Sequence, residues 1–244
     1  MNQYWQTDSG HYEQSLLDYC QKHVTVVICA LNEEKTIKEV ILTSRPYCSE
    51  IIVVDGHSKD STREIAADNG ARIIKDGKRG KGDAVRMGIM AARGDSVVFI
   101  DADMSHNPDD IPKLIDPIMN DRADCVIGSR LRGGSDEFHG DINKFLRRVG
   151  SDIITMGINY RFGVQVTDSQ NGFRSLKTSI ARKLDLKENI TTIEQEITIK
   201  VLKKKFRLSE VPIHEFKRKY GKSKIKLSKV SFQYVYSWLR YLLF

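Results

Sequence analysis

Asp101, Ala102 and Asp103 follow the apolar run Val97–Ile100 without a break. In an extended chain two carboxylates one residue apart fall on the same side. Two hard oxygen donors so placed suit Mg²⁺ or Mn²⁺, which take a few carboxylates and complete their shell with substrate phosphates. An isolated Asp-x-Asp is also compatible with a solvated strand end or a helix cap. Three further polar clusters stand in the same relation to apolar runs: Ala30-Leu31-Asn32-Glu33, Asp55-Gly56-His57-Ser58 and Gly128-Ser129-Arg130. In an open α/β sheet, ligands bind outside the carboxyl ends of the strands. Taken together, the four clusters favour the metal reading of Asp101 and Asp103.

Other phosphate chemistries lack their motifs. Gly80-Lys81-Gly82 contains Gly-x-Gly, but Val85 stands where the dinucleotide fingerprint needs a third glycine. No Gly-x4-Gly-Lys-Ser/Thr is present, which disfavours a P-loop enzyme. Lys78, Arg79 and Lys81 are either phosphate contacts or a solvated basic loop. No Gly-x-Ser-x-Gly elbow supports a hydrolase triad, and the six histidines form no metal-spaced pair. The four cysteines are scattered without a Cys-x-x-Cys, so a zinc site is not expected. Cys29 and Cys125 sit in apolar runs and read as inert core thiols.

The elements that must carry these clusters are legible as alternating patterns. Val24–Cys29, Ile51–Asp55, Ala71–Lys75, Val97–Ile100 and Cys125–Gly128 read as strands. Glu33–Ser44, Ser61–Asn69, Gly82–Arg93 and Pro108–Met119 read as helices between them. Such alternation specifies an α/β fold with a mostly parallel sheet, and continuous apolar runs imply strands buried on both faces. Downstream, Lys144–Phe162 and Ile193–Lys203 read as helices, and Gly172–Leu176 and Leu208–Val211 as strands. Residues 1–22 read as an arm with a short helix at Tyr12–Tyr19, and 215–229 as basic loop. The expected organisation is an arm (1–22), one α/β domain (23–225) and an amphipathic tail (226–244).

The 244 residues carry a net charge of +7, which points to anionic partners. An acidic centre at Asp101–Asp116 and a basic stretch at Lys200–Lys229 argue against nucleic-acid coating. The polar N-terminus does not read as a signal peptide, and no apolar run reaches the roughly 18 residues needed to span a bilayer. In the tail, Val230, Tyr234, Trp238 and Tyr241 recur at helical spacing behind Lys222, Lys224, Lys226 and Lys229. That pattern suits either a helix lying in a membrane interface or one packed on the core or a second subunit.

Val26 to Glu34, Ile51 to Thr62, and Gly94-Asp95 ahead of Asp101-Ala102-Asp103 together resemble the inverting family-two glycosyltransferases of the GT-A (Rossmann-like) fold. Gly128-Ser129-Arg130, Asp168 to Arg174, Glu210-Val211-Pro212 and Arg218 to Lys224 are similar to the dolichyl- and polyprenyl-phosphate mannosyl- and glucosyltransferases. The resemblance implies a nucleotide-sugar site at Ala30, Asn32, Glu33, Asp55, Lys81, Asp83, Asp101 and Ala102. It implies Mg²⁺ or Mn²⁺ on Asp101 and Asp103, and acceptor and phosphate contacts at Arg130, Arg147, Asn171, Arg218 and Lys224. Asp103 and the helix acid Glu196 are its candidate catalytic residues. Gly56, Ser105 and Asn171 depart from residues common in that group.

The implied reaction moves a hexose from GDP-mannose or UDP-glucose to a polyprenyl phosphate, at the cytoplasmic face of a membrane and without nucleic-acid partners. A sugar hydroxyl acceptor would need a general base. A phosphate monoester, with a second pKa near 6, would need cations instead. A soluble transferase using a saccharide or small phosphorylated acceptor is the alternative. A non-catalytic basic adaptor would have no use for the intact acidic pair.

Overall fold

The computed structural model describes residues 12–136, 142–220 and 227–243. The apolar runs form the strands β1 (Val24–Ala30), β2 (Glu50–Asp55), β3 (Arg72–Lys75), β4 (Ser96–Asp101) and β5 (Cys125–Ser129). Two more, β6 (Arg174–Lys177) and β7 (Leu208–Pro212), complete one sheet in the order β3-β2-β1-β4-β6-β5-β7. All neighbours are parallel except β6, which runs antiparallel between β4 and β5.

Alternate side chains of each strand feed two cores. Val26, Ile28, Val98 and Ile100 pack on one face with α1 (Gln14–His23), α2 (Ile37–Ser44) and α5 (Ile111–Met119). Val27, Val97 and Phe99 pack on the other with α4 (Lys81–Ala91) and α9 (Ile193–Lys203). Both faces of β1 and β4 are therefore covered, which is why their sequences are continuously apolar. The remaining helices are α3 (Thr62–Asp68), α6 (Arg130–Gly133), α7 (Ile142–Phe162), α8 (Thr178–Lys183) and α10 (Leu227–Leu243).

The chain leaves β1 toward β2 and β3 on one side, then returns to place β4 on the other. This reversal makes a crevice outside the carboxyl ends of β1 and β4. Three local outcomes differ from the sequence reading. The first helix after β1 starts at Ile37, so Glu33 lies in the preceding turn. α1 runs to His23, directly into β1, and places Leu16 and Cys20 in the first core. α10 begins at Leu227, inside the stretch expected to be loop. Its Tyr241 and Leu242 pack with Ile154 and Ile158 of α7 and Ile199 of α9 in a third apolar cluster.

Candidate active site

Four strands end in the same way. Asn32, His57, Lys78 and Met104 each stand two or three residues beyond the ends of β1 to β4. Their φ values are 55°, 65°, 60° and 66°. Left-handed backbone at non-glycine residues is uncommon and gathers at functional loops. Here it turns four loops over one edge of the sheet.

The loops after β1 and β2 are bonded together. The Asn32 amide donates to Ser58 Oγ (2.9 Å), Asn32 Oδ1 accepts from the Lys59 amide (2.8 Å), and the Glu33 amide donates to Thr62 Oγ1 (2.8 Å). Asp55 is fully buried, accepts from the Ser58 amide and lies 3.9 Å from Arg63 Nε. Ala30 accepts from the Gly56 amide at 2.8 Å. Asn32, Glu33 and Asp55, predicted to act together, are thus brought together.

β4 ends at Asp101, and Ala102 and Asp103 form a turn. Strand alternation therefore does not continue through the pair; each aspartate meets its own cation. Lys81 Nζ, on the first residue of α4, lies 2.8 Å from Asp101 Oδ1 and 3.0 Å from Glu194 Oε1. Asp103 Oδ2 lies 2.6 Å from Arg218 Nη2, and Arg218 Nη1 is 3.3 Å from Glu33 Oε1. Burial opposes charge on Lys81, yet Asp101 and Glu194 hold its ammonium well above the ordinary lysine range. Burial likewise opposes ionisation of Asp101, but Lys81 and then His106 hold its carboxyl below the usual range. A Cβ at Gly172 would lie 2.8 Å from Lys81 Nζ, so a side chain there would displace the ammonium from its place beside Asp101.

Asp83 holds the neighbouring loop, accepting from the Gly77 amide (2.6 Å) and from Arg86 (2.9 Å). On the far side of β4, Arg130 grips Asp168 with Nε at 2.7 Å and Nη2 at 2.9 Å, and reaches Glu215 at 3.4 Å. Burial opposes this charge, and Asp168 and Glu215 together more than offset it. Asn171 spends its side chain on the Gly128 carbonyl (2.6 Å) and the Phe173 amide (3.1 Å), which pins its loop to the end of β5.

Arg147 is exposed on α7 and makes no ion pair with Asp101 or Asp103. Lys224 lies outside the described residues. Glu196 is fully buried, and its carboxylate accepts from the Lys187 and Glu188 amides and from Lys200. Its bonds hold the segment whose Asn189 carbonyl receives the Gly82 amide at 2.8 Å. The acid that reaches the Asp101 pair is Glu194, two residues earlier on α9. Arg174 was also not predicted: its buried guanidinium donates to the carbonyls of Ser169, Asn171 and Glu194. The signal available for it was an arginine inside the segment Gly172–Leu176 that reads as a strand.

Among the described residues no cluster of three or more His, Cys, Asp or Glu side chains is arranged to hold a metal ion. Two acidic hard-oxygen donors do fit a divalent cation that takes the rest of its shell from a ligand's phosphates. The buried and unpartnered His106 Nε2 and Glu194 Oε2, on residues flanking Asp101, add polar capacity to that fit.

The model for glycosyl transferase family 2 matches residues 25–187. The UDP-N-acetylglucosamine–dolichyl-phosphate N-acetylglucosaminyltransferase of Methanococcus voltae is 31% identical, over 88% of this chain and 94% of its own length. The dolichyl-phosphate hexose transferase of Haloferax volcanii is 28% identical, over 86% and 90%. Among solved structures, glucosyl-3-phosphoglycerate synthase from Mycobacterium tuberculosis, in complex with Mn²⁺, UDP and glucosyl-3-phosphoglycerate, superposes with a TM-score of 0.78. That match covers 98% of this chain and 86% of the other at 21% identity. With its mostly parallel sheet, its loops converging on the ends of β1 to β4, and this match, the chain belongs to glycosyl transferase family 2 and is a glycosyltransferase of the GT-A fold.

Proposed function

We propose that the protein transfers a hexose from a nucleoside-diphosphate sugar, GDP- or UDP-linked, to a polyprenyl phosphate, with Mg²⁺ or Mn²⁺ held by Asp101 and Asp103. The observation that carries this reading is the reach of Arg218 from the basic segment after β7 to Asp103 and Glu33. A cation from that segment already faces the acidic pair. The near-equal length of the two dolichyl-phosphate transferases supports it.

Asn32, Glu33 and Asp55 form the bonded pair of loops that would receive the nucleotide. When bound, the divalent ion neutralises charge developing on the departing diphosphate. Lys81 keeps Asp101 ionised and oriented. Arg218 exchanges the Asp103 carboxylate for phosphate oxygens, which it can clamp with two donors. Arg130, fixed by Asp168, offers cationic charge on the acceptor side. A phosphate acceptor is already nucleophilic at neutral pH, so no side chain need remove a proton. Residues 23–225 form the catalytic domain, and 226–244 hold it at the cytoplasmic membrane face.

These cations serve any phosphate, so a small phosphorylated acid is the second reading. The test is incubation with Mg²⁺ or Mn²⁺, radiolabelled GDP-mannose or UDP-glucose, and polyprenyl phosphate, followed by solvent partition. Label entering the organic phase is expected. Label that stays aqueous, and moves to 3-phosphoglycerate when that is supplied, overturns the lipid acceptor.

A further inference from the structure

Eleven of the sixteen large hydrophobic side chains exposed among the described residues lie on just two helices. On α7 they are Ile142, Phe145, Leu146, Ile153, Met156 and Tyr160. At 3.6 residues per turn these positions fall on one face. On α10 they are Phe232, Val235, Tyr236, Leu239 and Leu243, again on one face. Tyr160 is 93% exposed and Phe232 79%. Scattered apolar residues are ordinary on a protein surface, but a concentration of this size marks a contact surface.

The two faces belong to neighbouring helices. The opposite sides of α7 and α10 pack into one cluster over Ile199 of α9. Gly157 of α7 sits against the Trp238 ring of α10. Both helices thus bury their inner sides on the same support, and both apolar stripes point away from the domain.

Charge selects the occupant. α7 carries Lys144, Arg147, Arg148 and Arg161 against the single acid Asp152, and α10 carries Lys229 and Arg240 with no acid. Lys222, Lys224 and Lys226 immediately precede α10 in sequence. A second copy of this chain would set like charge against like. An anionic bilayer supplies both an apolar interior and the opposite sign. No helix among the described residues is long and apolar enough to cross a membrane, so contact is with the interface.

We infer that α7 and α10 together form one platform that seats the enzyme in the surface of an anionic bilayer. The inference rests on the lipid-phosphate reading, which needs the site at a membrane, and extends it beyond the C-terminal helix to α7. α7 also ties the platform to the site. Thr155 Oγ1 is 2.7 Å from Ser169 Oγ, and Asn159 exchanges two bonds with the Val166 backbone at 2.8 and 2.9 Å. The loop held this way carries Asp168, the partner of Arg130. Seating α7 therefore sets the height of Arg130 above the lipid surface.

The test is co-sedimentation of the full chain with vesicles of phosphatidylcholine and phosphatidylglycerol, alongside Met156→Glu on α7 and Phe232→Glu on α10. Each substitution is expected to lower the binding constant about tenfold, through lost apolar insertion and added repulsion. Both variants should transfer sugar to a short-chain prenyl phosphate in detergent within about twofold of the wild-type rate, as expected for exposed positions. Vesicle binding that ignores Met156→Glu overturns the joint platform. So does a stable dimer in solution that Met156→Glu dissociates. Vesicle binding without transfer to prenyl phosphate removes the acceptor reading and leaves the platform standing; transfer without vesicle binding does the reverse.

Discussion

The guanidinium of Arg218 holds Asp103 at 2.6 Å and Glu33 at 3.3 Å, so one side chain from beyond β7 joins the loops that follow β4 and β1. The two acids it joins come from opposite sides of the crevice at the switch in strand order. Any ligand that draws Arg218 away must compensate both carboxylates, which a divalent cation with a diphosphate can do.

Asp103→Ala should therefore abolish turnover, with a loss of about 10³-fold or more, near 4 kcal/mol of transition-state stabilisation. Calorimetric titration with GDP or UDP should lose its dependence on Mn²⁺ while the circular dichroism spectrum stays unchanged. Full activity in this variant would remove the metal from Asp103.

Arg174→Ala should destabilise the fold by about 3 to 5 kcal/mol, because it removes buried charge-assisted bonds to three carbonyls and opens a cavity. Urea denaturation measures this. Arg174→Lys should recover only part of the loss, since an ammonium cannot reproduce the planar fork that reaches three carbonyls.

Gly157→Val should loosen α10, because even a Cβ at that position overlaps the Trp238 ring. Overpacking of this kind costs about 1 to 3 kcal/mol. Hydrogen exchange should show faster labelling of 227–243 with β1 to β4 unchanged.

Part of the acid sensitivity should come from a site far from the crevice. Hydrogen bonds from Arg207 and Lys177 lower the Asp121 carboxyl to about 2, and those from Arg207 put Asp124 lower still. Carboxyls depressed by folding add stability that is complete above their unfolded value near pH 4 and fades as the pH falls through the folded values. Between pH 4 and 2 the melting temperature of the wild type should fall more steeply than that of Arg207→Met.

Burial pushes the thiols of Cys20, Cys29, Cys48 and Cys125 up to about 12. They remain protonated at pH 8, and the thiolate is the reactive form. A disulfide reagent should titrate none of them rapidly in the native protein and all four in guanidinium chloride.

β1, β2, β4 and β5 were legible because strands covered on both faces must be apolar throughout, and Asn32, Asp55 and Asp101 announced themselves as the first polar residues after them. Glu194 and Glu196 were not separable. Both lie in the first turn of α9, and only the docking of that helix decides which faces Lys81 and which caps the 187–188 backbone. The destination of Arg218 was hidden for a related reason: its segment has no periodicity, and its contacts are long-range. The turn at Ala102 and Asp103 was hidden by the strand itself, whose pattern does not say where extension stops.

The antiparallel β6 also orders events during synthesis. β3, β2, β1 and β4 pair only with one another until β6 arrives, so that unit can assemble once Asp101 has left the ribosome. β5 bonds only to β6 and β7, both made later. A nascent chain that has reached Ser129 therefore carries an apolar strand with no strand beside it. It must wait for at least 45 further residues, to Arg174, before the first hydrogen-bonding partner of β5 emerges.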